Sequence, residues 1–280
     1  MVSTNRLTIP DNPALLLPLM PSNPKKKEEE FSLISRGKLL ALYANLIRCS
    51  LLERFIAENA PLRQSASRTS AAAAVATCTD RTLGDSFAAP AQDFLPAFVE
   101  GRSLSLIMSG LLTPTTEQRS RFAAQVRAAL AEARRYNGKG TRRIVVIFGR
   151  PATGRLWQSM LKTANNERLP IIFVCNGQSH LRSLRPVRYL PAISVDRDDV
   201  VAIHRVASEG IAHARRGNGP TLIECVAWHG DGDKRKANAI AKMEAYLAQK
   251  GISANRCKAK AVAEFASELA RRKSSLNKPA

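Results

Sequence analysis

Aromatic residues are scarce in this chain of 280 residues, at 5% of the total. So few rings supply a poor stacking platform for single-stranded nucleic acid. Acidic residues are also short: 23 Asp and Glu stand against 43 Lys and Arg, a formal net charge of +20. A surface of that sign attracts anions in a salt-dependent way, but charge does not distinguish phosphate, nucleic acid, acidic lipid or an acidic protein. The five cysteines form no CxxC pair, and Cys175 and Cys225 each stand in an apolar run. Buried, reduced thiols of a cytoplasmic protein are the expectation. The four histidines, His180, His204, His213 and His229, do not cluster with the cysteines, which argues against structural zinc. Prolines and Asp11 break the apolar stretch around Leu15–Met20, so neither a signal peptide nor a membrane span is expected.

What remains is the composition of a packed chain, 45% hydrophobic and 24% charged, which excludes disorder throughout. Residues 1–30 are a Pro-rich leader ending in KKKEEE. From a Ser35 cap, Leu39, Leu42, Leu46, Phe55 and Ile56 recur at helical spacing and predict a helix to Asn59. Further helices are expected over Ala71–Ala76, Ser103–Leu112 and Glu117–Tyr136. The centre changes rhythm. Arg143–Phe148, Pro170–Cys175, Ala192–Val195 and Thr221–Ala227 are short apolar runs, separated by helical stretches at Arg155–Asn166 and Asp198–Arg216. Continuous apolar strands alternating with helices predict a mainly parallel sheet covered on both faces, a three-layer αβα fold. Two tail helices are expected over Lys234–Lys250 and Ala254–Lys273. From Lys234 onward the chain carries 12 Lys and Arg against 3 Glu. The expected division is a leader over 1–30, the α/β body over 31–252 and a basic C-terminal helix and tail over 253–280.

In such a sheet ligands gather at the carboxyl ends of the strands, so the turn after the first central strand matters most. It reads Gly149-Arg150-Pro151-Ala152-Thr153-Gly154-Arg155-Leu156. The glycine spacing imitates a phosphate loop, but Arg155 and Leu156 replace its lysine and hydroxyl. Pro151 also removes an N–H that would cradle phosphate. A tight strand-to-helix turn is the better description.

Joined to its downstream segment, as FGRPATG…NNERLPIIFVCNGQSHLRS, the turn resembles the cofactor-binding core of thiamine-diphosphate-dependent 2-oxo acid dehydrogenases. The likeness is to the alpha subunit of their decarboxylating component, the pyruvate, branched-chain and acetoin dehydrogenase family. SVDRDDVVAIHRVASEGIAHARRGNGPTLIECVAW resembles a downstream segment of that family. LLALYANLIRCSLLERF and EGRSLSLIM resemble upstream ones. The resemblance covers Ser35 to Ile252, with Leu169–Cys175 and Gly219–Glu224 its most specific parts. It implies a thiamine-diphosphate-binding fold, thiamine diphosphate and magnesium as cofactors, and a beta-like subunit or a second copy of the chain as partner.

The departures concentrate on one site. The family's metal-binding aspartate is matched by Arg150 and the following glycine by Pro151. Its second metal ligand, an asparagine, is matched by Gln178. Gly149, Arg150 and Gln178 are thus the degenerate cofactor-binding positions, and no catalytic or metal-binding residue is assigned. A guanidinium offers no oxygen to magnesium, although Arg150 could pair with a phosphate directly. The family's Ser-Tyr-Arg-Asp-His stretch, which contacts the cofactor, becomes Pro90, Ala91, Gln92, Asp93 and Phe94. Its Ser-Met-His loop is missing, with only Thr113–Ser120 connecting the helices. Its last active-site loop becomes His229-Gly230-Asp231-Gly232-Asp233, where the aspartates read as a solvated turn before Lys234. His180 is the single histidine near the expected site, whereas His204 and His213 read as surface or boundary residues. Random substitution would not remove ligands and loops from one site while sparing the strands. The expectation is a non-catalytic alpha-subunit-like protein acting as a subunit or scaffold. The alternatives are an active decarboxylating dehydrogenase component with a rebuilt diphosphate site, and a basic polyanion-binding module whose attraction to nucleic acid is non-specific.

Overall fold

The computed structural model describes residues 34–59, 69–90, 93–111, 115–138, 141–149, 155–177, 190–226 and 238–276. Its elements lie in one compact unit, Arg36–Ala280. In chain order they are α1 (Arg36–Asn59), α2 (Thr69–Cys78), β1 (Ser86–Ala88), α3 (Phe94–Val99), α4 (Leu104–Leu111), α5 (Thr115–Gly138), β2 (Val145–Gly149), α6 (Arg155–Asn166), β3 (Ile171–Gly177), β4 (Ala192–Asp196), α7 (Val200–Arg215), β5 (Thr221–Val226), α8 (Ala239–Gln249) and α9 (Asn255–Leu276).

The five strands pair in the order β1-β2-β3-β5-β4, all parallel. Every residue of β2 and β5 is buried, as a strand covered on both faces requires. On one face Val145, Ile147, Ile171, Phe173 and Leu222 pack with Val126, Ala129 and Ala133 of α5 and Trp157, Met160 and Leu161 of α6. The other face carries α7. Gly210 lets that helix sit close, since an added Cβ would lie 3.3 Å from the Thr221 side chain. Asp199 caps α7, its side chain accepting from the Ala202 N–H at 2.9 Å. The Ala-rich α2 is buried along Thr69–Val75 and lies against both α1 and α7. A helix apolar on all sides belongs inside a core, and small side chains let two neighbours approach it.

The basic tail is partly internal. Ala261 and Phe265 of α9 are buried, Phe265 meets Phe98 edge to face at 6.1 Å, and the Cys257 thiol donates to the Leu40 carbonyl. Glu244 of α8 accepts from Tyr43 of α1 and from Lys258 of α9. The remaining elements, β1 and α3, have no counterpart in the sequence expectation. None of the described helices is long and apolar enough to cross a membrane.

His204 corrects the expectation that it is a surface or boundary residue. It is 3% exposed, and neither ring nitrogen has a hydrogen-bond partner among the described residues. Burial, with Lys38 and then Arg205 nearby, holds its pKa below the ordinary 6.5. Unfolding therefore takes up a proton. The neutral ring's contribution is full above about pH 6.5 and is lost as pH falls from there towards the lowered folded value. His204→Leu fills the space without titrating. Urea unfolding of this variant is expected to lose less stability than the parent between about pH 7 and 5. Equal slopes for the two proteins would contradict the burial of a neutral ring.

Candidate functional site

The carboxyl half of the sheet brings four residues into one transverse row. Gly149 pairs with Cys175, Cys175 with Glu224, and Glu224 with Ser194. This is the side on which parallel sheets hold their ligands. Of the expected positions, Gly149 lies here at the end of β2. Arg150 and Gln178 lie outside the described residues, as do His180 and the loop His229–Asp233.

Gly149 is a glycine because of its neighbour. A Cβ built on it would stand 2.3 Å from Cζ3 and 2.5 Å from Cη2 of Trp157. The indole is buried, meets Phe173 edge to face with centroids 5.6 Å apart, and has no partner for its Nε1–H among the described residues. The space above Gly149 is thus filled by apolar ring on the α6 side.

Glu224 was legible as a charge inside a continuous apolar run but was not singled out as a site residue. It is 2% exposed and accepts from the Ser194 hydroxyl at 3.3 Å. No cation pairs with it among the described residues. Cys175, buried and in no disulfide, stands beside it.

Beside the edge strand β1, a cleft of about 660 Å³ is lined by Pro90, Asp93, Phe94, Glu100, Arg102 and Glu132 among others. Three of these occupy the stretch that the sequence aligned with the family's cofactor contacts. Three of the cleft's charged groups are already committed. Glu132 accepts from Ser86 at 3.1 Å and from Tyr136, while Arg102 pairs with Glu100 at 3.3 Å. Acids outnumber bases along this wall, so a diphosphate would meet repulsion.

These residues do not supply the donor set of a magnesium-held diphosphate. Magnesium takes oxygen ligands in near-octahedral array, and the sequence places a guanidinium at position 150. The glycine before it is covered by an indole. Among the described residues no three His, Cys, Asp or Glu side chains are grouped to hold a metal ion.

A family model for the dehydrogenase E1 component matches residues 114–233. The chain is 35% identical over 105 residues to the pyruvate dehydrogenase E1 component subunit alpha-3 of Arabidopsis thaliana, covering 31% of this chain and 24% of that protein. It is 34% identical over 103 residues to the pyruvate dehydrogenase E1 component subunit alpha of Porphyra purpurea, covering 30% of each. To the alpha subunit of the acetoin:2,6-dichlorophenolindophenol oxidoreductase of Bacillus subtilis it is 29% identical over 109 residues, covering 32% of each. The matched segments therefore span about a quarter to a third of these relatives' lengths. With the parallel αβα fold in place, residues 114–233 are similar to the dehydrogenase E1 component family, and the relatives matched are alpha subunits.

Proposed function

We propose that this protein is a non-catalytic, alpha-subunit-like member of the family that serves as a subunit or scaffold. The observation that carries the proposal is the cofactor turn: a guanidinium stands at the metal-binding position, next to a glycine whose open face is covered by Trp157. The scaffold is meanwhile intact, with every residue of β2 and β5 buried. The partner is a beta-like chain or a second copy. In this reading residues 31–252 are the family-like body, and residues 253–280 are a basic C-terminal helix and tail, the helix packed against α1.

The test is reconstitution with a supplied beta subunit. The expected outcome is no release of carbon dioxide from a 2-oxo acid in the presence of thiamine diphosphate and magnesium, although the two chains co-elute. Turnover above the beta subunit alone would overturn the non-catalytic assignment. A monomeric mass with no partner retained would overturn the scaffold role.

A further inference from the structure

The charge that the sequence spreads over the chain is focused by the fold at the other end of the sheet. There the approaches to β2 and β5 meet the last turn of α7 and the first turn of α1. A cleft of about 830 Å³ opens between them, lined by Lys38, Arg142, Arg215, Arg216, Asn218 and Cys78 among others. Among the described residues no Asp or Glu lines it.

Arg215 is fixed in place. Its Nη2 donates to Asp85 at 2.5 Å and its Nε donates to the Arg142 carbonyl at 3.1 Å, so two of its three nitrogens are committed. Asp85 offsets its charge from behind. Neither Arg142 nor Arg216 has an acidic partner among the described residues, and both are exposed. Gathering such cations around a concave wall raises the local potential, and an anion relieves it. Arginines at the end of α7 also complement the negative pole of that helix. That accounts for Arg215 and Arg216, but not for Arg142 on the approach to β2.

We propose that this cleft binds a small phosphate-bearing anion. The guanidinium fork matches phosphate oxygens two at a time, and the volume falls in the range of small-ligand sites. Among the described residues no aromatic ring lines the cleft, so they give a nucleobase nothing to stack on. Cys78 contributes no opposing charge: burial pushes its thiol up to about 11, and it contacts Ser208 at 3.2 Å. The site lies at the end of the sheet opposite Gly149 and does not depend on the cofactor question.

The probe is inorganic pyrophosphate, titrated calorimetrically into the full chain. Saturable one-to-one uptake is expected, and the pair Arg142→Ser with Arg216→Ser is expected to weaken it at least ~10-fold. The pair Lys260→Ser with Arg271→Ser on α9 removes the same charge elsewhere and is expected to change affinity less than ~2-fold. Uptake without saturation, or equal weakening by both pairs, would overturn the site. Should the serine pair fail to fold, Arg142→Lys with Arg216→Lys keeps the charge and loses the fork. Roughly 3-fold weakening is expected of it, and unchanged affinity would overturn forked recognition. A short single-stranded RNA that binds more tightly than pyrophosphate and is lost with the same arginines would overturn the small-ligand assignment.

Discussion

Gly149→Ala is expected to destabilise the fold by about 2–3 kcal/mol, the upper part of the usual range for overpacking a filled core. The added methyl falls 2.3 Å from the Trp157 ring. That ring is braced by Phe173 and is only 2% exposed, so it has no room to retreat. For a domain of this size the midpoint of thermal unfolding should fall by roughly 5–10 °C. Trp157→Leu removes the obstacle at its own cost of a few kcal/mol. The double variant Gly149→Ala/Trp157→Leu should therefore be appreciably more stable than the sum of the two losses, because the methyl then enters vacated space. Urea unfolding of the four proteins measures this coupling. A change below about 0.5 kcal/mol for Gly149→Ala, the level of an ordinary surface substitution, would mean that the indole does not cover the glycine. The strongest structural support for a closed cofactor turn would then be gone.

Asp85→Ala should be at least as damaging, at about 3–5 kcal/mol. The Asp85 side chain is fully enclosed, and Arg215 is its ion-pair partner. Its two oxygens also accept from the N–H groups of Asp80 at 2.7 Å and Ile144 at 3.1 Å. One carboxylate thus joins the turn before β1, the approach to β2 and the end of α7, pieces far apart in sequence. Its removal leaves two backbone donors and part of a guanidinium without their acceptor, and orphaned buried groups account for most of such losses. Arg215→Ala should cost less, since that side chain keeps partial access to water. The double variant should fall well short of the sum, because both changes break the same pair. Losses under 1 kcal/mol for Asp85→Ala, or strict additivity, would contradict the hub.

The parts of the fold that sequence could reveal are those whose signal is local. The strands Val145–Gly149 and Ile171–Gly177 announced themselves in the apolar runs of Arg143–Phe148 and Pro170–Cys175, because parallel strands are wetted on neither face. The helix ending at Asn59 was visible in its spaced leucines, and Arg155–Asn166 has the bounds expected for it. β1 was missed because three residues, Ser86–Ala88, show no period, and α3 because six residues containing Pro96 carry no helical rhythm. His204 was misjudged for a related reason. Its neighbours in sequence include Arg205, but its burial is decided by α2, which starts 135 positions earlier.

Within the candidate site, Gly149 was legible as the glycine closing a strand. Its occupant was not, since the position of Trp157 depends on how the intervening turn phases α6. Glu224 carried a signal, a carboxylate inside an apolar strand, whose meaning appears only once the register sets it beside Cys175 and Ser194. The cationic cleft had no local signal at all. Lys38, Arg142 and Arg215 are ordinary residues of a +20 chain until the topology gathers them.

The measurement that bears most directly on the loss of the cofactor site is a calorimetric titration with thiamine diphosphate and magnesium, on the purified chain and again with a beta subunit added. A metal-free arm and an Arg150→Ala arm accompany it. No uptake that requires magnesium or Arg150 is expected in any arm, and any metal-free uptake is expected to disappear with Arg142→Ser/Arg216→Ser instead. Magnesium-dependent uptake would contradict a non-catalytic subunit and require an oxygen ligand that replaces the lost aspartate. Metal-free uptake that disappears with Arg150→Ala would contradict it in another way, by showing that a guanidinium has taken over the work of the ion.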